Sequence, residues 1–503
     1  MRKSGVLMPI FSLPGKYGMG CISQEAYDFV DFLQRTKQTY WQILPVGPTS
    51  FGDSPYQSFS TYAGNPYFIS LQHLIEKGLL TQEECEEVDF GENAEDIDYE
   101  KIYQNRSPLL KLAYQRSNVL QEQGYQEFVD KNAFWLTDYA LFMALKDANC
   151  GKSFYEWDED LRFRREEPLE EARKQEQEAI GFYTFLQYEF QQEWMELKCY
   201  ANCRGIQIIG DIPIYVAADS ADVWANPELF QLDEDGRMIA VAGCPPDTFS
   251  ETGQRWGNPL YDWSYHQKTK YHWWLQRMRR CQELYDVIRI DHFRGFDEYY
   301  SIPSTENTAV HGTWEKGAGM DLFTAVKQEL GELSIIAEDL GFLTDSVRQL
   351  VHDCGYPGMK VLEFAFNGRD ASLEDDWQKA SNEYLPIFYS HHCVVYTGTH
   401  DNATLVAWAK ELNDRQRLEV MDYLDIDTFD PMLIARKMII LAMSSVADTC
   451  IIPMQDYLLL DRSARINTPS TLGLNWRWRM NDEALTEDLE AFIHKITVLY
   501  GRS

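Results

Sequence analysis

A chain of 503 residues is longer than a bare eight-stranded barrel needs, and 45% hydrophobic and 14% aromatic content exclude a disordered polymer. Seventy-nine acidic against 46 basic residues leave a net charge of −33, a field that repels nucleic acid and anionic membrane surfaces and suits a neutral partner. The apolar stretch before Pro9 is too short for a signal-peptide core, no run of about 18 apolar residues follows, and the ten cysteines form no C-x-x-C pair. A reduced, cytoplasmic protein without a zinc module is expected, its oligomeric state open.

In chain order, eight short apolar or β-branched runs stand out, at 5–11, 40–46, 206–216, 286–293, 333–340, 358–366, 393–399 and 449–454. Helical periodicity separates most of them. Ala26, Phe29, Val30 and Leu33 share one face after a Ser23 cap, and Tyr271, Trp274, Leu275 and Met278 share another. Alternation of apolar strands with helices predicts a parallel sheet covered outside, closed as an α/β (β/α)8 TIM barrel. An open doubly wound sheet is the alternative. No G-x-G-x-x-G follows any strand, however, and Gly15-Lys16-Tyr17-Gly18-Met19-Gly20 has its glycines in the wrong order. The excess over a bare barrel, about 250 residues, must be insertions. A helical subdomain is expected over 75–200, and a Pro-, Gly- and Asn-rich loop roofing the cleft over 217–263.

In a parallel barrel the strand C-termini converge on one mouth. Acidic residues close four of the runs: Asp211, Asp291, Glu338 and Asp401, with Asp456 after the last. Several carboxylates at one mouth repel one another unless a metal, cations or catalysis requires them. Arg289 and His400 are placed to balance Asp291 and Asp401. A metal-dependent hydrolase would want histidines on the first strand, which instead ends Met8-Pro9-Ile10-Phe11-Ser12. An enolase-type site would want a strand-end lysine, and only Lys360 qualifies. Glycosidic chemistry needs one carboxylate nucleophile or base, one carboxylic acid, and aromatic platforms. Asp291, Glu338, His400, Asp401 and the aromatic surplus meet that demand best. Neither metal nor cofactor is expected.

At these residues the chain resembles the amylomaltases, the 4-alpha-glucanotransferases or disproportionating enzymes related to the alpha-amylase clan. Ordered blocks carry the resemblance, among them Arg289-Ile290-Asp291-His292-Phe293-Arg294-Gly295-Phe296, Ala337-Glu338-Asp339-Leu340-Gly341, Thr399-His400-Asp401-Asn402 and stretches at 5–20, 41–66, 241–263 and 465–479. It implies Asp291 as nucleophile, Glu338 as general acid/base and Asp401 as the group that stabilises the transition state. It further implies that Tyr56, Asp211, Asp247, Phe249, Trp256, Arg289, His292 and His400 bind maltooligosaccharides and 1,4-alpha-glucans, with Phe249 and Trp256 on the roof loop. Arg289 should lower the pKa of Asp291, while burial or neighbouring carboxylates raise that of Glu338. Cys244, Thr248 and Arg255 stand in the roof loop where members often carry valine, tyrosine and leucine. That departure bears on acceptor preference, and leaves a plain alpha-glucan hydrolase and an inactive sugar-binding relative as alternatives.

Overall fold

Alternation along a strand decides what this barrel holds. In Val287–Asp291, residues 287, 289 and 291 face the lumen while Ile288 and Ile290 face out to the helices. The computed structural model describes residues 2–246, 250–341, 343–366 and 382–503. Twelve strands are present among them: β1 (Lys3–Leu7), β2 (Tyr40–Gln42), β3 (Gln207–Pro213), β4 (Ala240–Cys244), β5 (Gln254–Pro259), β6 (Val287–Asp291), β7 (Glu298–Pro303), β8 (Thr313–Lys316), β9 (Ile335–Ala337), β10 (Gly358–Val361), β11 (Cys393–Tyr396) and β12 (Thr449–Pro453).

Eight of them close a parallel barrel in the order β1-β2-β3-β6-β9-β10-β11-β12, so the closed form holds and the open sheet does not. Every expected run contributes one stave. The staves are shorter than the runs: β1 stops at Leu7, and Ile10–Ser12 form a 3-10 turn. Apolar character outlasts the ladder because the segments beyond each strand are still buried under loops. The lower lumen is filled by Leu7, Ile209, Ile336, Met359, Val394, Tyr396 and Ile451. Above this plug the lining turns polar. The Tyr396 hydroxyl donates across to Gln42 Oε1 at 2.8 Å, and Asp211, Arg289 and Asp291 follow toward the mouth. Register puts Asp211 beside Arg289 and Pro213 beside Asp291, which fixes the charges relative to one another before any side chain is considered.

The outer layer is helical. Gln24–Arg35 buries Ala26, Phe29, Val30, Phe32 and Leu33, and His272–Leu284 buries Trp273, Trp274, Leu275 and Met278. Between β2 and β3 lie the long helices Tyr99–Arg116, Gln123–Ala148 and Gln177–Cys203. The stretch 217–263, read from the sequence as a loop, holds β4 and β5. They join β7 and β8, from the β6–β9 connection, in a four-stranded antiparallel sheet of order β5-β4-β7-β8. The contribution of β7 and β8 was not anticipated, although Glu298–Pro303 carries a strand-like Tyr-Tyr-Ser-Ile core. Among the described residues, no helix is long and apolar enough to cross a membrane.

Candidate active site

The floor of the mouth is a three-part charge set. Asp211, fully buried, accepts from Arg289 Nη1 at 2.7 and 2.6 Å and from the Tyr56 hydroxyl at 2.8 Å. The same Nη1 lies 3.1 Å from Asp291 Oδ1. The buried guanidinium therefore holds two carboxylates at once, and they keep its pKa well above the usual value against the cost of burial. Asp291 remains 28% exposed at the cleft floor.

Glu338 follows β9 directly. Its Oε2 accepts from the His292 backbone N–H at 2.7 Å and its Oε1 from the Leu340 N–H at 2.9 Å. The His292 N–H points there because His292 takes a left-handed backbone (φ 53°, ψ 48°) that turns β6 into the 3-10 segment Phe293–Phe296. Such a conformation in a non-glycine residue costs about 1–2 kcal/mol and persists only where surrounding structure enforces it. Burial pushes both carboxyls above the usual range. Glu338 goes further, because the Asp291 charge adds to burial there, whereas Arg289 opposes the rise at Asp291. Arg289 does pull the pKa of Asp291 down, as expected, but desolvation outweighs it and the group ends above the usual range. Asp211 takes the guanidinium at 2.6 Å and adds its own negative field, so what reaches Asp291 does not offset desolvation. The order of the two groups, Asp291 the stronger acid, nevertheless stands.

The third carboxylate comes from the loop after β11. Asp401 Oδ1 accepts from Asn467 Nδ2 at 2.6 Å and lies 3.3 Å from His400 Nε2, while Arg465 Nη2 donates to the Asp401 carbonyl at 2.6 Å. The His400 ring stacks on Tyr56 (5.2 Å, 16°), and Trp476 closes the cluster at 5.8 Å from Tyr56 and 5.9 Å from His400. Tyr56 is therefore held by ring contacts with His400 and Trp476 and through its hydroxyl. Asn467, Arg465 and Trp476 received no role in the sequence reading. All three sit in the 465–479 block, but no apolar strand precedes them and their spacing carries no chemical signal.

Asp456 is not at the mouth. It is buried, accepts from the Thr397 hydroxyl at 2.6 Å and the Leu405 N–H at 2.8 Å, and is pushed up to about 6 by burial against those two bonds. Overhead, Trp256 of β5 donates to Gln254 Oε1 at 3.0 Å and meets the His292 ring edge-on at 4.7 Å and 85°. Burial, then the Arg294 charge, holds His292 down to about 3, so its imidazole is neutral; Nε2 has no hydrogen-bond partner among the described residues. Gln57 Nε2 donates to Asn258 Oδ1 at 3.2 Å, tying the Tyr56 loop to β5. Asp247 and Phe249 lie outside the described residues. No group of three or more His, Cys, Asp or Glu side chains among the described residues could hold a metal ion.

The family model described as 4-alpha-glucanotransferase matches residues 8–486. The chain is 49% identical over 504 residues to the 4-alpha-glucanotransferase of Streptococcus pneumoniae serotype 4, covering 100% of this chain and 97% of that one. It is 46% identical over 500 residues to the Clostridium butyricum 4-alpha-glucanotransferase, covering 98% and 100%. A solved amylomaltase from Streptococcus agalactiae, in complex with acarbose, superposes with a TM-score of 0.95 at 41% identity over the whole of both chains. The amylomaltase of Corynebacterium glutamicum shares the fold, with a TM-score of 0.76 at 17% identity over all of this chain and 75% of that one. A barrel whose mouth gathers Asp291, Glu338 and Asp401, matched end to end at this identity, places the chain in the 4-alpha-glucanotransferase family.

Proposed function

We propose that this chain moves segments of 1,4-alpha-glucan to the 4-hydroxyl of glucose or another glucan by double displacement, with retention at C1. The carrying observation is the ordering of two carboxyls in one site. Asp291 sits against the Arg289 guanidinium and is the stronger acid, and Glu338, raised by burial and then by the Asp291 charge against the two N–H groups it accepts from, is the weaker. In the first step the Asp291 carboxylate attacks C1 of the donor sugar while Glu338 gives its proton to the departing glycosidic oxygen. A glycosyl ester on Asp291 results. In the second step Glu338, now a carboxylate, takes the proton of an incoming 4-hydroxyl, which displaces Asp291.

The remaining residues serve the donor sugar. Asp401, held by Asn467 and His400, reaches the 2- and 3-hydroxyls, where hydrogen bonds strengthen as the ring flattens toward an oxocarbenium ion. Tyr56 binds the donor sugar, and the Asp211–Arg289 pair fixes Asp291. His292 and Trp256 line the acceptor side. Maltooligosaccharides are the substrates this reading calls for, in starch, glycogen or maltodextrin turnover. A reducing cytoplasm is the setting this reading expects.

Incubation of the pure protein with maltotriose tests it. Glucose should appear together with maltopentaose and longer chains, while total reducing ends stay nearly constant. Reducing ends rising in step with maltotriose consumed would identify a hydrolase instead, and no turnover at all an inactive relative.

A further inference from the structure

Below the loop that carries His400 and Asp401 lies a second carboxyl group that the transfer scheme does not use. Glu363 follows β10, in the 3-10 segment Leu362–Phe366, and is 3% exposed. Its backbone N–H donates to the Thr397 carbonyl at 3.2 Å, so the start of the loop is tied to the tip of β10. Its side chain runs under Gly398. A Cβ built on Gly398 would lie 3.2 Å from Glu363 Oε1, 3.5 Å from its Cδ and 3.1 Å from the Asn402 Cβ. Contacts that close require a neighbour to shift by a few tenths of an ångström. The loop thus rests on the carboxyl with no side chain between them. Gly398 does not have a left-handed backbone, so its lack of a side chain is explained by this close approach and not by φ.

The other supports of the loop are accounted for. Asp456 takes the Thr397 hydroxyl and the Leu405 N–H, Asn402 Oδ1 takes the Thr399 N–H and hydroxyl at 2.9 and 2.8 Å, and Arg465 holds the Asp401 carbonyl. Glu363 Oε1 is buried with no hydrogen-bond partner among the described residues. An unpaired buried oxygen is costly, and an apolar side chain of the same size would avoid that cost. A purely structural spacer here is therefore the more expensive choice.

We propose that Glu363 is a positioning residue of the transfer reaction, holding the Thr397–Asn402 loop at the height that sets Asp401 against Asp291. This rests on Asp401 acting on the donor sugar, as proposed above. Burial, reinforced by the neighbouring Asp456, keeps the Glu363 carboxyl well above the usual range, against the opposing charge of Arg465. An amide of the same shape can replace it, whereas a shortened side chain lets the loop sink.

Four variants test this with maltotriose, with melting temperature read on each. Glu363→Gln should keep kcat within about threefold. Glu363→Ala should lower kcat about ten- to a hundredfold with KM changed less than about threefold, the size expected when reacting groups are misplaced by about an ångström. Gly398→Ala lifts the loop from the same contact and should also lower kcat. The double variant Glu363→Ala/Gly398→Ala, in which the added methyl occupies space the lost carboxyl leaves, should turn over faster than the product of the two single losses. A folded Glu363→Ala protein with the parental kcat overturns the proposal. So does a double variant no better than that product, or a Gln variant as slow as the Ala variant. Should Glu363→Ala fail to fold, Gly398→Ala at the parental kcat overturns it equally. Asp401→Asn run alongside separates the two readings: an active Asp401→Asn protein removes the assigned role of Asp401, whereas an inactive one with Glu363 variants unaffected removes the role of Glu363 alone.

Discussion

In the proposed double displacement Asp291 carries the glycosyl group on one oxygen, and the consequences are sharp. Asp291→Asn keeps the size and an oxygen toward Arg289 but cannot form the glycosyl ester. Turnover of maltotriose should fall by about 10⁴-fold or more in a protein with an unchanged circular dichroism spectrum. Retention of even a few per cent of activity would move the nucleophile elsewhere. The pH profile follows from the same pair. Asp291 must be ionised and Glu338 protonated, so activity is lost as pH falls through the first group and as it rises through the second. Burial raises both, hence the acid limb should lie above the ordinary carboxylate range and the alkaline limb higher still. The two limbs belong to the coupled pair, and Glu338→Gln should abolish turnover of maltotriose while leaving attack on a donor with a good leaving group measurable. An acid limb near pH 4 in kcat/KM would show that Arg289 outweighs burial after all. The place of these acids at the barrel mouth was legible beforehand because each closes an apolar run. The electrostatic balance was not, since it depends on Asp211 competing for Arg289 across a strand pair nearly eighty positions apart in the chain.

The β4–β5 hairpin and the Tyr56 loop form the two sides of the cleft, and the Gln57–Asn258 hydrogen bond joins them. Water at tens of molar competes with every acceptor sugar for the glycosyl ester, so transfer prevails only where the acceptor gains binding energy that water lacks. Trp256 supplies an indole next to His292 on that side. Trp256→Ala should shift the partition toward hydrolysis, seen as a severalfold rise in reducing ends per maltotriose consumed. An unchanged partition would remove Trp256 from the acceptor site. At this scale the sequence was informative about staves and poor about the roof. Barrel strands are buried on both faces and read as continuous apolar runs. In contrast, β5 is Gln-Arg-Trp-Gly-Asn-Pro, a strand only because β4 pairs with it, and β4 in turn needs β7 from beyond β6. Pairing so distant in sequence leaves no local periodicity to read. Asp456 failed for a related reason: the strand before it looks like the others, but the chain turns at once into Met454–Tyr457 and buries the carboxyl under the Thr397–Asn402 loop.

The whole molecule carries a charge of −33, yet its proposed substrate carries none. The field can neither attract nor repel a glucan, and the charges that matter for chemistry are inside the barrel. Arg289 and Asp211 are buried and in direct contact, at separations far below the Debye length of about 8 Å at physiological salt. Ions in solution screen exposed pairs such as Lys16–Glu86 and Lys410–Asp461, which are worth little to begin with, and do not reach the site. Raising sodium chloride from about 0.05 to 0.5 M should therefore change kcat/KM for maltotriose by less than about twofold, because neither steering nor the site electrostatics respond. An enzyme of this charge acting on an anionic or cationic substrate would behave differently, its association rate changing steeply over the same range. Chelation gives the parallel control. The cleft carboxylates are held by the Arg289 guanidinium and by N–H donors of the chain, and excess EDTA should leave transfer unchanged. A large salt effect would point to a charged ligand in the cleft, and loss with EDTA that one cation restores would point to a metal. Either result would force a new account of how Asp211, Asp291, Glu338 and Asp401 share one barrel mouth.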